Sequence, residues 1–253
     1  MAVRTVGYAD FIDHLHALGV QKGDDLFIQS RLFAFGRLTI NVEEIYQAIR
    51  EVVGERATII VPTHRYTATA DEVFDRHNTP SQDAGVLSEY VRKLPGAIRS
   101  NCPMHSHAAV GPKASMLNRP SGNVSFGPGS DFEVMLEEGV KNLLLGCDFT
   151  FASFVFHVLA VHGAIPYRTW LDLPRKRVTE DGEIEDTICR YYGRIGMEAE
   201  EDQSPIGHRM LELGLLREQP CPYGISTFAS LQDIYTVTMS MVRENPEVLI
   251  LRE

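Results

Sequence analysis

Cysteine is scarce in this chain of 253 residues: Cys102, Cys147, Cys189 and Cys221 are scattered, with no Cys-x-x-Cys pair and no zinc-finger spacing. Such thiols make a poor disulfide framework and fit a reducing compartment, so a cytoplasmic location is expected. Each thiol reads as a small buried apolar group. Long apolar runs are missing too. Val140–Gly146 and Ala152–Val161 are too short or too interrupted to span a bilayer, so no membrane partner is expected. The opening segment MAVRTVGYADFIDHLHALGV has no continuous apolar core ahead of a small-residue cleavage site, and no secretory signal is read from it. Basic residues are in deficit, 24 Lys and Arg against 34 Asp and Glu, for a net charge of −10. That balance repels polyanions and argues against nucleic acid, while leaving room for a cationic small molecule such as an amine. The chain contains no G-x-G-x-x-G, no P-loop and no G-x-S-x-G. With no internal repeat, low-complexity run or linker, residues 1–253 read as a single domain.

What is present alternates. Apolar positions at Phe11, Ile12, Leu15 and Leu18 mark a helix over Tyr8–Leu18, and Ile45, Ala48, Ile49, Val52 and Val53 mark another over Val42–Val53. Short buried strands are expected at Leu26–Ile28, Thr58–Val61, Ala108–Val110 and Val140–Leu145, with helices at Leu87–Leu94 and Asp131–Glu138. Thr63–Gln82 reads as loop. The second half begins with a helix over Phe154–His162. Two strands, Trp170–Val178 and Glu185–Tyr192, flank the turn Glu180-Asp181-Gly182, and helices follow at Gly207–Gly214 and Ser230–Glu244. The fold class is therefore α/β: a layered αβα domain with a mixed central sheet and an antiparallel and helical C-terminal part.

The unusual residues follow the strands. Gln29-Ser30-Arg31, Pro62-Thr63-His64, Cys102-Pro103-Met104-His105-Ser106-His107 and Gly146-Cys147-Asp148 occupy loops expected to gather at one sheet edge, where α/β proteins bind ligands. His64, His105 and His107 could together hold a metal, although no nearby carboxylate in the sequence completes a usual triad. His157 lies among Phe154, Val155, Phe156, Val158 and Leu159. It is either a core histidine or a half-buried general base. Ser125-Phe126-Gly127-Pro128-Gly129-Ser130 ahead of a helix is either an anion-binding loop or a tight turn capped at Ser130 or Asp131.

Seven segments, taken in order, resemble the aminoglycoside 3-N-acetyltransferase family: Leu18–Gly36, Ile59–His64, His77–Ser100, Pro103–Pro112, Phe126–Ser130, Leu143–Gly146 and His157 through Arg168. The resemblance implies acetyl-CoA as co-substrate, no metal, and direct acetyl transfer to a primary amine of an amino sugar, aminoglycoside or related small molecule. It places Ser30, Arg31, Leu32, Phe35, Gly36, Ser106, Phe126 and Gly127 along the coenzyme and His64, Tyr66 and His105 near the acceptor. It makes His157 the general base. The chain departs from the family where an orienting glutamate is expected, since position 160 is Ala, so Asp148 is the nearest replacement carboxylate in sequence. Phe154 stands at a family threonine and Gln29 at a family histidine. A repurposed or inactive relative that binds a CoA-like or sugar ligand without transfer is the alternative reading. A metal hydrolase using His64, His105 and His107 is a more distant one. If coenzyme A binds, Arg31, Arg37 and Lys113 are candidate counter-charges, and the acidic cluster Glu198–Asp202 belongs on the acceptor side. Nothing in the sequence marks a dimer surface, and a homo-oligomer stays open.

Overall fold

The computed structural model describes residues 5–81, 83–119, 123–196 and 200–251. The first half runs β1 (Thr5–Val6), α1 (Tyr8–Ala17), β2 (Leu26–Ser30), a 3-10 turn (Leu32–Phe35), β3 (Arg37–Leu38), α2 (Val42–Val53), β4 (Ile59–Pro62), β5 (Val73–Phe74), α3 (Gly85–Arg92), β6 (Ile98–Arg99), β7 (His107–Val110), α4 (Asp131–Glu137) and β8 (Lys141–Leu145). The second half runs α5 (Phe154–His162), β9 (Arg168–Val178), β10 (Ile184–Arg194), α6 (Ser204–Glu212), β11 (Arg217–Cys221), β12 (Gly224–Ser230) and α7 (Leu231–Glu244).

Local chemistry explains the clearest boundaries. Asn41 Oδ1 accepts the Glu44 N–H at 3.0 Å, and Glu44 Oε2 accepts the Asn41 N–H at 2.8 Å, a reciprocal cap that starts α2. Helix α5 ends at Gly163, whose φ of +70 fits the left-handed position that closes a helix. Among the described residues no helix is long and apolar enough to cross a membrane.

The central sheet has seven strands in the order β11-β12-β8-β2-β4-β7-β6. β8, β2 and β4 are mutually parallel, while β12 and β7 flank them antiparallel. Its central strands are apolar on both faces, so alternate residues serve two different cores. Leu26, Ile28, Ile59, Val61, Ala108, Leu143 and Leu145 pack with α1, α2 and α3. Phe27, Ile60, Ala109 and Leu144 pack with α4, α5, α6 and α7. This is the layered αβα arrangement with a mixed sheet that the alternating pattern implies. A smaller three-stranded sheet, β10-β9-β5, stands beside it, with its hairpin turning at Gly182 (φ +84). Beneath the hairpin, Cys102 and Cys189 are buried with their sulfurs 3.6 Å apart. Cys221, expected to be buried, is only partly so.

Several strands escape the sequence pattern, β1, β3, β6 and β12 among them, and two show why. β11 contains Pro220 and ends just ahead of Pro222, which suppresses a strand reading; it survives because it is the sheet's edge, where a missing N–H is tolerated. The stretch expected to be loop from Thr63 contains β5, whose two residues pair in parallel with Lys176 and Arg177 of β9. So short a strand has no period of its own to show.

Gly146, directly after β8, has φ +68, and a Cβ there would meet the Arg31 carbonyl oxygen at 2.6 Å and the Ala34 Cβ at 2.8 Å. The turn carrying Arg31 is thus seated on a glycine that tolerates both the backbone conformation and the contact. Gly146→Ala is expected to destabilise the protein by about 2 kcal/mol. Thermal unfolding should show a drop of several degrees, and an unchanged melting temperature would contradict this seating.

Candidate functional site

The parallel strands β2, β4 and β8 end at one edge of the sheet, and β7 begins there: Ser30 is paired with Leu145, and Pro62 with His107. The loops leaving these strands therefore converge as the sequence implies. Two grooves open at that edge. One, about 500 Å³, is lined by Gln29, Ser30, Arg31, Leu32, His64 and Tyr66, among others. The other, about 450 Å³, is lined by Ser153, Phe156, Arg194, Glu200, Glu201 and Gln203, among others. Gln29, Tyr66 and Phe151 line both, so the two adjoin there as two lobes of the cleft. A separate cavity of about 480 Å³ lies around Asp10, Asp13 and His14 and shares no lining residue with the cleft.

The cleft is electrostatically mixed. In the first lobe Arg31 is the one lining cation among the described residues, its guanidinium held between the rings of Phe33 (4.7 Å) and Phe151 (4.9 Å). Asp83 lines the same lobe. In the second lobe Glu201 pairs with Arg168 at 2.5 Å. Glu200 carries no ion pair among the described residues, and Arg194 lines the same lobe. Glu198, expected in this acidic group, lies outside the described residues. Lys113, expected as a counter-charge, instead joins Asp25 and Glu138 (both 3.0 Å), and Asp25 precedes β2, at the far end of the sheet. Arg37 lies on β3, paired with β1, and does not line the cleft.

Behind Tyr66 runs a chain of buried polar groups. The Tyr66 hydroxyl lies 2.6 Å from His64 Nδ1; His64 Nε2 lies 3.2 Å from His107 Nε2; His107 Nδ1 lies 2.8 Å from Asp131 Oδ2. An ionised Asp131 fixes every proton in this series. It accepts from His107 Nδ1–H, which leaves the His107 Nε2 lone pair to accept from His64 Nε2–H, which leaves His64 Nδ1 to accept from the Tyr66 hydroxyl. Asp131 also accepts the Ser100 hydroxyl at 2.5 Å, and Ser100 Oγ accepts the His107 N–H at 3.0 Å. His64 is held neutral far below its usual range, first by burial and then by the neighbouring His107, His105 and Arg99. Burial pushes Tyr66 up to about 12.

A metal held by His64, His105 and His107 would need the three rings to converge on one point. The rings of His105 and His107 both pack 5.0 Å from that of His64, but the nitrogens of His64 and His107 face each other, and His105 Nδ1 bonds Ser125 Oγ at 2.8 Å. No group of three metal-ligating side chains suited to a metal occurs among the described residues.

His157 is buried on α5, and its ring stacks on Phe154 at 5.2 Å. Its Nδ1 accepts the Gly127 N–H at 3.2 Å, with Ser130 Oγ also at 3.2 Å. The Phe126–Ser130 turn reaches the helix because position 160 is Ala: a Cβ on Gly127 would lie 2.9 Å from the Ala160 Cβ. With a backbone N–H on Nδ1, the neutral ring carries its proton on Nε2. Burial lowers its pKa to about 4. This arrangement makes His157 a donor; the general-base role expected of it would require Nδ1 to give up Gly127. Asp148, expected to orient His157, instead caps the turn at Phe149–Phe151 by accepting from the Thr150 N–H at 2.9 Å and from the Thr150 hydroxyl.

Of the residues expected along the coenzyme, Ser30, Arg31 and Leu32 line the cleft. Phe35 does not: its ring turns back against Phe11 (5.3 Å) and His14 (5.0 Å). Gly36 closes the turn after it with φ +74. Ser106 is fully buried, bonded to Thr63 Oγ1 at 2.8 Å and to the Arg99 guanidinium at 3.1 Å. Phe126 packs between His105 and Phe132, and Gly127 serves His157. His64 and Tyr66 line the cleft, while His105 stands behind them, 5.4 Å from the Tyr66 ring. Asp131 was legible only as a helix cap. A carboxylate in the first turn of a short helix whose Phe132 and Met135 are buried was the available signal that it faces inward.

Comparison with known proteins places this geometry. A family model, "Aminoglycoside 3-N-acetyltransferase", matches residues 27–243. The chain is 26% identical over 256 residues to aminoglycoside N(3)-acetyltransferase III of a Salmonella species, covering 91% of this chain and 89% of that protein. It is 30% identical over 188 residues to aminoglycoside N(3)-acetyltransferase VII of Streptomyces paromomycinus, covering 67% of this chain and 65% of that protein. Among solved structures, the fold is similar to AAC-IIIb in a binary complex with CoASH, with a TM-score of 0.82, 22% identity and coverage of 95% and 97% of the two chains. It is also similar to the aminoglycoside acetyltransferase AAC(3)-Xa, with a TM-score of 0.84, 23% identity and coverage of 97% and 94%. AAC-VIa bound to sisomicin matches with a TM-score of 0.82, 19% identity and coverage of 95% and 98%.

The buried histidines also set an acid limit on stability. Burial lowers His105 to about 3 and His157 to about 4, and holds His64 well below its usual value. The unfolded chain binds protons at these rings near pH 6.5, and the folded chain does not, so stability is complete above pH 6.5 and is lost as pH falls towards the folded values. Urea unfolding should show a decline of about 1.4 kcal/mol per pH unit for each such ring between pH 6 and 4. His105→Gln should flatten that slope by one ring's share. A stability flat across this window would contradict the neutral assignment.

Proposed function

The chain belongs to the aminoglycoside 3-N-acetyltransferase family, and we propose that it uses acetyl-CoA to acetylate a primary amine of a small molecule by direct transfer within the two-lobed cleft. The observation that carries this reading is the meeting of the two lobes at Gln29, Tyr66 and Phe151. The first lobe suits the coenzyme. It offers Arg31 to an anionic phosphate and the apolar faces of Leu32, Phe33 and Val86 to an extended chain. The CoASH complex of the similarly folded AAC-IIIb supports coenzyme binding in this fold. The second lobe suits the amine, since Glu200 and Glu201 give it acid where a cation would arrive, and a sisomicin-bound neighbour shares the fold. Phe156 and Phe151 make the lobe partly apolar, which favours an acceptor with an apolar face over a wholly polar sugar.

An amine that has lost its extra proton is already a competent nucleophile, so the chemistry needs no acyl-enzyme. The protein has to hold the thioester and amine together, polarise the thioester carbonyl and take up protons. With its proton on Nε2, His157 fits a donor that steadies negative charge or packing beside the cleft. Its helix neighbours Ser153 and Phe156 line the second lobe.

Calorimetric titration with acetyl-CoA should show micromolar binding, and release of free CoA thiol should follow on adding amino sugars; absence of coenzyme binding would end this reading. His157→Gln supplies an amide oxygen for the Gly127 N–H. It is expected to retain transfer within about tenfold, because removing a true general base costs about a hundredfold or more. A thousandfold loss would return His157 to that role.

A further inference from the structure

Proton uptake has a better-built route than His157. Tyr66 stands where the two lobes meet, 57% exposed, with its hydroxyl turned inward to His64 Nδ1. Behind it His64 and His107 are 1% and 0% exposed, and the series ends on the buried carboxylate of Asp131. All three hydrogen bonds are directional once Asp131 is ionised: Tyr66 donates to His64, His64 to His107, His107 to Asp131. Every donor and acceptor along the line is matched, and the open lone pairs of the Tyr66 oxygen are left for the cleft.

From this juxtaposition we infer that Tyr66 is the proton-accepting catalytic residue of the transfer, and that His64, His107 and Asp131 are positioning residues that carry the proton inward. The inference rests on the transfer reading above. A bound ammonium gives one proton to the Tyr66 oxygen as the Tyr66 proton passes to His64 Nδ1. The His64 Nε2 proton passes to His107 Nε2, and the His107 Nδ1 proton passes to Asp131. The carboxylate becomes neutral and no imidazolium remains. The freed amine lone pair forms the C–N bond to the acetyl carbon, and the C–S bond breaks with its electron pair leaving on sulfur. The second N–H proton of the attacking nitrogen goes to that thiolate, giving CoA thiol. The proton on Asp131 returns by the reverse sequence to solvent at Tyr66 after the products leave.

The surroundings favour neutral rings throughout. His64 faces His105, His107 and the Arg99 guanidinium, all of which oppose a lasting positive charge on it, and Tyr66 faces Tyr191 and Asp83. Arg99 is fixed by donation to the Thr63 carbonyl (3.0 Å), Thr63 Oγ1 (3.0 Å) and the Thr79 carbonyl (2.5 Å), so it cannot swing away to relieve that opposition. A relay that moves protons in concert avoids the imidazolium this pocket disfavours, and only Asp131 changes charge.

Tyr66→Phe removes the single oxygen bonded to His64 Nδ1 while keeping the ring, and should leave the protein folded and acetyl-CoA affinity within about threefold while lowering kcat by about a hundredfold. Asp131→Asn keeps an oxygen to accept from His107 but cannot hold the proton; kcat should fall by a similar factor with KM for the coenzyme unchanged, and the pH profile of kcat should change shape. Nitrogen-15 spectra of the imidazoles should show His64 protonated at Nε2 and His107 at Nδ1 in the wild type. Tyr66→Phe retaining wild-type kcat, or His64 protonated at Nδ1, would overturn the relay. A protein that binds no coenzyme in any form would instead fail the transfer reading, which the same calorimetry separates.

Discussion

The pairing of β4 with β7 is the constraint on which the site depends. Val61 faces Ala108 and Pro62 faces His107. In this register His107 points to the same side of the sheet as Ala109, into the core containing Phe27 and Phe132, whose rings lie 5.3 and 4.8 Å from it. A slip of one residue would send His107 to the opposite face and bring Ser106 in its place. The two residues after Pro62 then carry His64 back over the end of the strand, where it meets His107 nitrogen to nitrogen. The bond between the two rings follows from strand register, and strand register follows from which residues can be buried on which side.

Burying so many polar groups at one edge is costly unless all are bonded. The edge meets that demand locally. Arg99 donates to Thr63, Ser106 and Thr79, Ser100 bridges His107 and Asp131, and Ser125 takes His105. Arg99 has no carboxylate among these partners. Burial lowers its pKa to about 9, so it remains charged at neutral pH, its guanidinium over the Phe74 ring at 4.8 Å. The small sheet owes its place to this cluster as well, since Phe74 belongs to β5 and β5 is held by β9. The hairpin and the sheet edge are therefore one polar assembly seen from two sides.

Much of the architecture was legible in the chain. The helices over Val42–Val53 and Phe154–His162 occur with those bounds, because one has a clean apolar stripe with a reciprocal cap and the other an apolar run closed by Gly163. The gathering of strand-end loops was legible too, since parallel strands share one outlet edge. β11 was hidden by its prolines. The individual roles were harder to read. Phe35 and Ser106 sit in segments that resemble the family, yet they face inward, and sequence likeness carries no direction for a side chain. The sequence offers Asp131 only as one of two candidate caps for a turn, because Asp is common at a helix start; the third dimension shows that Ser100 and His107 claim its carboxylate.

The exchange at position 160 bears on how a family can change its proton handling. A glutamate three residues after His157 would accept from that ring and leave the outer nitrogen free as a base. Alanine lets the Gly127 backbone descend, with a contact so close that no side chain fits between, and a donor meets Nδ1. A glutamate in place of Ala160 would set the opposite polarity on the imidazole. In the same molecule a second imidazole, His64, already has a carboxylate behind it through His107, with the polarity that proton uptake requires. The two features belong together physically. Amine chemistry in the cleft needs a group of the right polarity at its centre, and Tyr66 is one of the residues both lobes share that such a group can act through.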